Sequence, residues 1–279
     1  MMYDNSQLRA LQLAELSVLK DIDAVCKKHN IEYFLDSGTA LGAARHEGFI
    51  PWDDDVDIGM LREDYERFLP IAKEELKDTY VVACPGEIPG YAPMFAKVWK
   101  KGTKFYTDET IDAGLDQGVF VDIFVYTQLN ADPGIAKQQV KECTRWQRIS
   151  YLYHSKAINV PHSGILGALE SFACVLAHGV VRLLFSEERI VTSFQRAEEK
   201  GAQNPGEGCV CLSYPVDPPF KPSMFLPAVP LRFEDTEFPC PRELETYLVK
   251  TYGDDWTELP PEDQRRNHAP VELDLGTDN

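Results

Sequence analysis

The stretch that decides the fold runs Leu35-Asp36-Ser37-Gly38-Thr39-Ala40-Leu41-Gly42 and continues, ten residues on, as Trp52-Asp53-Asp54-Asp55-Val56-Asp57-Ile58. The first part reads as a strand end, a small-residue turn and a helix start. Backbone N–H groups at such a turn can bind phosphate oxygens, and glycine allows close approach. The second part reads as an acidic loop, Asp53 to Asp55, leading into a strand over residues 56–60. In a strand Asp55 and Asp57 project to the same face while Val56 and Ile58 face the core. Two carboxylates on one face can share a hard cation such as magnesium. The alternative is a solvated acidic loop, but such a loop has no need of the flanking Val-x-Ile.

A third carboxylate stands in Val119-Phe120-Val121-Asp122-Ile123-Phe124-Val125, where Asp122 is the lone charge in an apolar run. A buried carboxylate needs a metal, a cation or hydrogen bonds. A neighbouring strand carrying Asp122 beside Asp55 and Asp57 meets that need; a structural salt bridge is the other solution. Further out, helices are expected over 6–29 with Ser6 as cap, 39–46, 62–76 and 242–251. Strands are expected over 33–35, 80–83, 94–99, 119–125 and near 231–233. Glu15 falls among Leu8, Leu11, Leu19 and Ile22 on the first helix, so it should be buried and partnered, with Arg45 the expected cation. The fold class is α/β (α+β), one domain over 1–279 with a helical insertion at about 131–204 and a break at Pro161 to Gly164.

Composition sets the limits. The chain has 279 residues, 44% apolar and 26% charged, with a net charge of -17. That field repels polyanions, so no nucleic-acid partner is expected. Seven cysteines form no C-x-x-C pair, which fits reduced thiols better than a disulfide framework or a zinc site. The N-terminus lacks the pattern of a signal peptide. A cytoplasmic protein follows as the expectation. Within the insertion, Ile165, Leu169, Phe172, Leu176, Val180 and Leu183 form an apolar face. Glu170, Cys174, His178 and Arg182 form a stripe at spacing four, which would cost several kcal/mol inside lipid. The helix is expected to pack its apolar face on protein, with a membrane-surface position as the alternative.

The run from Leu35 through Arg45-His46-Glu47-Gly48-Phe49-Ile50-Pro51-Trp52 to Gly59 closely resembles the signature of the LicD family. That family contains bacterial phosphocholine transferases, is related to fukutin-type transferases, and belongs to the polymerase-β-like nucleotidyltransferase superfamily. The resemblance continues at Arg62-Glu63-Asp64-Tyr65-Glu66, Lys97-Val98-Trp99, Val121-Asp122-Ile123-Phe124, Phe233-Glu234-Asp235 and Tyr252-Gly253-Asp254. Ser37 departs from it, since the family often has a second glycine there. The insertion matches none of its motifs.

The resemblance implies a nucleotidyltransferase-type mixed sheet. It implies transfer of a phosphorylated alcohol, phosphocholine foremost, from a CDP-linked donor such as CDP-choline to a hydroxyl of a glycan or lipid-linked glycan acceptor, with release of CMP. Carried over by position, Asp55, Asp57 and Asp122 bind magnesium (manganese as the substitute), and Asp122 also helps deprotonate the acceptor. Ser37, Gly38 and Thr39 lie against the donor phosphates, with Arg45 and Lys97 as assisting cations. A lipid-linked acceptor would bring the protein to the inner face of the membrane as a peripheral partner. Three other readings remain: glycerol phosphate or ribitol phosphate as cargo, an NTP-dependent nucleotidyltransferase, and a catalytically silent glycan-binding module. A choline site would need aromatic faces, for which Trp52, Tyr91, Trp99, Tyr106 and Trp146 are available.

Overall fold

In the computed structural model, which describes residues 3–157, 164–265 and 267–276, Asp4 rather than Ser6 starts the first helix. Its carboxylate accepts from the Gln7 amide at 2.7 Å, and α1 (Asn5–His29) ends on Asn30 in the left-handed region. Ser6 spends its hydroxyl on Asp4 instead. The chain then forms β1 (Phe34–Leu35), α2 (Ser37–His46), β2 (Asp57–Leu61), α3 (Arg62–Glu75), β3 (Tyr80–Ala83), β4 (Ala96–Lys100), β5 (Lys104–Tyr106) and α4 (Asp108–Ala113). The long β6 (Phe120–Asn130) leads into α5 (Pro133–His154), α6 (Gly164–Leu184), α7 (Glu187–Glu198) and α8 (Lys200–Gln203). The rest comprises β7 (Pro205–Cys211), β8 (Val229–Phe233), β9 (Thr236–Cys240), α9 (Leu244–Tyr252) and β10 (Glu272–Asp274).

Six strands make the central sheet in the order β1-β2-β6-β4-β3, with β7 also on β6. β2 runs parallel to β6; the other pairings are antiparallel. The fold is therefore a mixed α/β one, as the sequence implied. β6 runs five residues past the expected end at Val125 because its second half acquires a new neighbour, β7, which pairs Cys211 with Tyr126. The segment expected as a helical insertion, about 131–204, contains the helices α5 to α8. The expected break at Pro161 to Gly164 lies almost wholly outside the described residues. All seven cysteines are free.

The largest core cluster joins α1, α2 and α3 to both the sheet and the C-terminal segment, through residues such as Leu19, Ile22, Phe34, Ile58, Phe68, Val121 and Phe225. Burying each of these aliphatic or aromatic side chains stabilises the fold by roughly 1.5–3 kcal/mol. A second cluster, Leu11 with Trp99, Phe105 and Phe120, lies beside the charged row described next. Among the described residues no helix is long and apolar enough to cross a membrane.

Candidate active site

Strand register creates the site. Asp57 on β2 is the Cα partner of Asp122 on β6, and Asp122 is in turn the partner of Lys97 on β4. Directly opposed residues project to the same face of a sheet, so the three charges form one row across three strands. All are buried, with Asp57 8%, Lys97 7% and Asp122 7% exposed. Lys97 Nζ donates to Asp122 Oδ1 at 2.5 Å and sits 3.6 Å from the Phe120 ring centroid. Asp55 stands just before β2, on the approach to this row.

Electrostatics ties these carboxylates together. Burial, then the charges of Asp55 and Asp122, holds the Asp57 carboxyl well above the ordinary range. Asp55 is also raised by burial and by Asp122, with His268 and Lys97 opposing. Burial raises Asp122 too, and Lys97 offsets it. Like charges crowded out of water raise one another's pKa. A hard cation relieves that repulsion, and an all-oxygen donor set suits magnesium. The donor chemistry of Asp55, Asp57 and Asp122 therefore suits a divalent ion, although their ligand atoms are not drawn together as those of Asp54, Asp55 and His268 are.

The loop acids are more than spacers. Asp54 is fully buried and accepts from Tyr3 Oη at 2.7 Å, from the His268 amide at 2.8 Å and from the Ala269 amide at 3.0 Å. His268 Nδ1 lies 3.2 Å from Asp54 and 3.7 Å from Asp55. Among the described residues, Asp54, Asp55 and His268 are the group whose potential ligand atoms converge within 4.8 Å. With so many donors already on Asp54, this group is better described as a pinned ion pair. Burial disfavours the charge on His268, but the Asp54 hydrogen bond and the Asp55 charge outweigh it and push its pKa to about 9. Neither Asp54 nor His268 stands out from the sequence as a site residue. The signal for Asp54 is its place in the acidic run, and His268 has only its position in a family-like tail.

In the expected phosphate turn one amide is already taken. The Ser37 amide donates to Asp36 Oδ1 at 2.8 Å and to Tyr247 Oη at 2.9 Å, so it is committed inside the protein. Asp36 is buried beneath it and also accepts from Tyr126 and Tyr247. Thr39 Oγ1 accepts from the Asp57 amide at 2.8 Å and so fixes the start of β2. A Cβ on Gly38 would stand 2.8 Å from Asp53 Oδ2, which explains the glycine: it lets the acidic loop close on α2. Ser37, Gly38 and Thr39 thus build the platform under the carboxylates. Arg45, at the far end of α2, donates to the Trp256 and Glu258 carbonyls at 3.1 and 3.0 Å and lines a separate cleft of about 380 Å³ with Trp52 and Tyr252.

Glu15 is buried as expected, yet Arg45 is not its partner. Both of its carboxylate oxygens lack a hydrogen-bond partner among the described residues. Burial, then Asp55, Asp54 and Asp53, raises its pKa well above the usual range. Leu11, one turn earlier, packs with Trp99 and Phe120, which places Glu15 beside the charged row. The helix face matches the sequence pattern; its neighbours are acids because the loop at 53–55 folds over it.

A chamber of about 190 Å³ opens beside Asp122 and Lys97. Its aromatic walls are Phe95, Phe105, Phe120, Tyr151 and Tyr214, with His268 at the rim. None of the five aromatics expected from the sequence is among them. Tyr91 and Trp99 are buried in the core, Trp52 lines the Arg45 cleft, Tyr106 binds Asp116, and Trp146 stacks edge-on with Phe185. The chamber aromatics come from separated segments, including the insertion, so no local pattern marks them.

Residues 30–163 match the family model described as "LicD/FKTN/FKRP, nucleotidyltransferase domain". The lipopolysaccharide cholinephosphotransferase LicD of Haemophilus influenzae is 29% identical over 268 residues, covering 94% of this chain and 95% of that one. The human ribitol 5-phosphate transferase FKRP is 44% identical over 57 residues, 20% of this chain and 11% of that protein. An uncharacterised protein of Rickettsia prowazekii, RP689, is 38% identical over 99 residues, 29% of this chain and 36% of its own length.

Proposed function

Because this chain belongs to the LicD family, we propose that it transfers phosphocholine from CDP-choline to a hydroxyl of a cell-surface glycan or its lipid-linked precursor, at the cytoplasmic face of the membrane. The observation that carries the reading is the buried row Asp57, Asp122 and Lys97, with Asp55 at its edge. The cargo follows the likeness that spans nearly both chains, that to a cholinephosphotransferase. The ribitol phosphate alternative rests on the 57-residue match.

In this reading the acceptor oxygen bonds to the phosphorus that carries the alcohol. The bond from that phosphorus to the bridging oxygen breaks and CMP leaves. Asp122, whose carboxyl is raised by burial with Lys97 opposing, takes the hydroxyl proton. Asp55 and Asp57, with Asp122, would hold a magnesium ion, which would supply positive charge to the donor phosphates. Lys97 and His268 add fixed positive charge beside them. The aromatic chamber excludes water from the reacting end and gives a quaternary ammonium π-faces.

The test is incubation with magnesium and CDP-choline, CDP-glycerol, CDP-ribitol or CTP, with a glycan acceptor extract. CMP release with CDP-choline supports the proposal. CMP release with CDP-ribitol or CDP-glycerol alone moves the cargo, and pyrophosphate release from CTP makes the protein a nucleotidyltransferase proper. No turnover and no donor-dependent thermal shift would favour the silent binding module.

A further inference from the structure

The insertion carries a helix turned inside out. On α6, Phe172, Leu176, Val180 and Leu183 recur at helical spacing and are 62%, 57%, 55% and 85% exposed. Val175 and Leu184 extend the same surface. The side chains of Ile165 and Leu169, expected on this face, lie outside the described residues. The sequence pattern leads one to expect the face against protein; the structure turns it outward. The polar stripe lies nearer the protein, with Glu170, Cys174 and His178 half-buried and Arg182 exposed at its end. His178 Nδ1 meets the Leu152 carbonyl at 2.8 Å, and the Arg182 guanidinium lies 5.6 Å from the Tyr153 ring centroid. Soluble proteins rarely leave a contiguous apolar face of this size in water.

We propose that the outward face of α6 docks on a lipid bilayer bearing anionic headgroups. Charge selects that occupant. Residues 131–204 hold nine Lys and Arg against seven Asp and Glu, while the rest of the chain holds 19 against 38. The insertion thus carries a small net positive charge within an acidic protein, so an anionic surface does not repel it. Its basic groups sit where the apolar face ends. Arg189 lies 5.3 Å from the Phe185 ring, Arg145 lies 5.4 Å from the Trp146 ring, and those two rings stack edge-on at 5.6 Å. Arg, Trp and Phe at the border of an apolar face are the composition of an interfacial helix. In a two-fold pairing with a second copy, this surface would meet its own equivalent, which offers no counter-charge.

The docking has a consequence for the site. Tyr151, His154 and Ser155 at the end of α5 line the chamber beside Asp122, while Leu152 and Tyr153 of the same turns hold α6. A bilayer under α6 therefore lies about one helix diameter, roughly 10 Å, from the chamber wall. That distance suits a lipid-linked acceptor, a point that rests on the proposed transfer reaction; the docking itself does not.

Flotation of the full chain with vesicles tests it. Vesicles of phosphatidylethanolamine and phosphatidylglycerol should carry the protein, and pure phosphatidylcholine should carry much less. Rising salt should weaken the binding in part, leaving the apolar share. The double variant Leu176→Glu/Leu183→Glu should bind about tenfold more weakly or worse, with an unchanged melting temperature, since both side chains are exposed. In a Leu183→Trp variant the added emission should shift to the blue with vesicles. Failure of the wild type to float, or equal flotation of the double variant, overturns the proposal. So does a concentration-dependent dimer that the double variant breaks while no vesicle binding occurs. CMP release from soluble donor is followed in the same samples: its absence throughout counts against the transfer reaction and leaves the flotation result standing.

Discussion

The β2–β6–β4 strip and helix α6 break the ordinary burial rule in opposite directions. In the strip, charge is inside: Asp57, Asp122 and Lys97 are each less than a tenth exposed, and Glu15 is fully buried beside them. On α6, grease is outside, with Leu183 almost as exposed as in a free chain. Either arrangement costs stability in the isolated molecule. Unpaired buried carboxylates are destabilised by desolvation and by one another. Exposed apolar side chains forgo roughly 1.5–3 kcal/mol each of possible burial. Each region is legible as half of an interaction, the strip holding more acids than cations and α6 lacking an apolar cover. The difference lies in what is proposed to complete them: a cation and phosphates in the first, a lipid surface in the second.

The largest expected effect comes from removing charge in the strip. Asp57→Asn or Asp55→Asn takes one anionic ligand from a hard cation. Magnesium-dependent thermal stabilisation by the donor should disappear, and single-turnover CMP release should fall on the order of 10³-fold or more. Intact magnesium dependence in either variant would separate these two acids from the cation. Asp122→Asn should behave differently. General-base contributions are about 10²- to 10⁴-fold, so turnover drops within that span while donor binding is better preserved. This variant also leaves Lys97 buried without its partner, a loss of about 3–5 kcal/mol by analogy with broken buried pairs. Asp122→Asn/Lys97→Met should recover stability without recovering turnover. Recovery of both would mean that the pair is structural.

Much of the strip is legible in the sequence, because its chemistry is local. The Val-x-Ile flank of Asp55 and Asp57 and the apolar run around Asp122 each betray a charge held in a core position. Strand register then needs only one pairing, Asp57 with Asp122, to bring them together. Contacts closed by distant chain leave no such mark. Asp54 looks like a loop residue because its partners, Tyr3, His268 and Ala269, lie at the two ends of the sequence. The phosphate turn looks open for a similar reason, since Tyr247 claims the Ser37 amide from 210 residues away. Periodicity marks both stripes of α6 but not their direction. Spacing tells that two faces of a helix differ, and neighbours decide which one turns inward.

Glu15 sharpens the comparison at moderate size. Its carboxyl is raised by burial and by the loop acids, so it stays protonated in the folded protein at pH values where the unfolded chain has ionised. Stability from this group is then full below the unfolded pKa and declines as pH rises toward the folded one. Glu15→Gln removes the titration and keeps the shape. In metal-free buffer it should melt higher than wild type at pH 7, by about 2–4 °C for each kcal/mol regained, and converge with wild type near pH 4. A variant that melts lower at pH 7 would show that the ionised Glu15 is matched by a cation.

The smallest effect belongs to His268, and its sign is opposite to that of a buried acid. Its pKa of about 9 exceeds the usual value of 6.5, because Asp54 and Asp55 favour the imidazolium more than burial disfavours it. A raised pKa on a base contributes stability that is complete below the unfolded value and is lost as pH climbs through the folded one. The window is therefore about pH 6.5 to 9. The side chain is 52% exposed, so water and salt screen the pairing and the contribution is modest. Melting temperature of the wild type, measured with a chelator present, should slope downward across that window, and the slope should flatten in His268→Asn. Vesicle binding through α6 should show no matching step: His154 of α5, beside the polar stripe, is pushed down to about 4 by burial and by Arg182 and His178 and is neutral throughout. A common step near pH 9 in both measurements would join the two regions into one unit; separate behaviour would leave the charged strip and the apolar helix as independent docking devices on one fold.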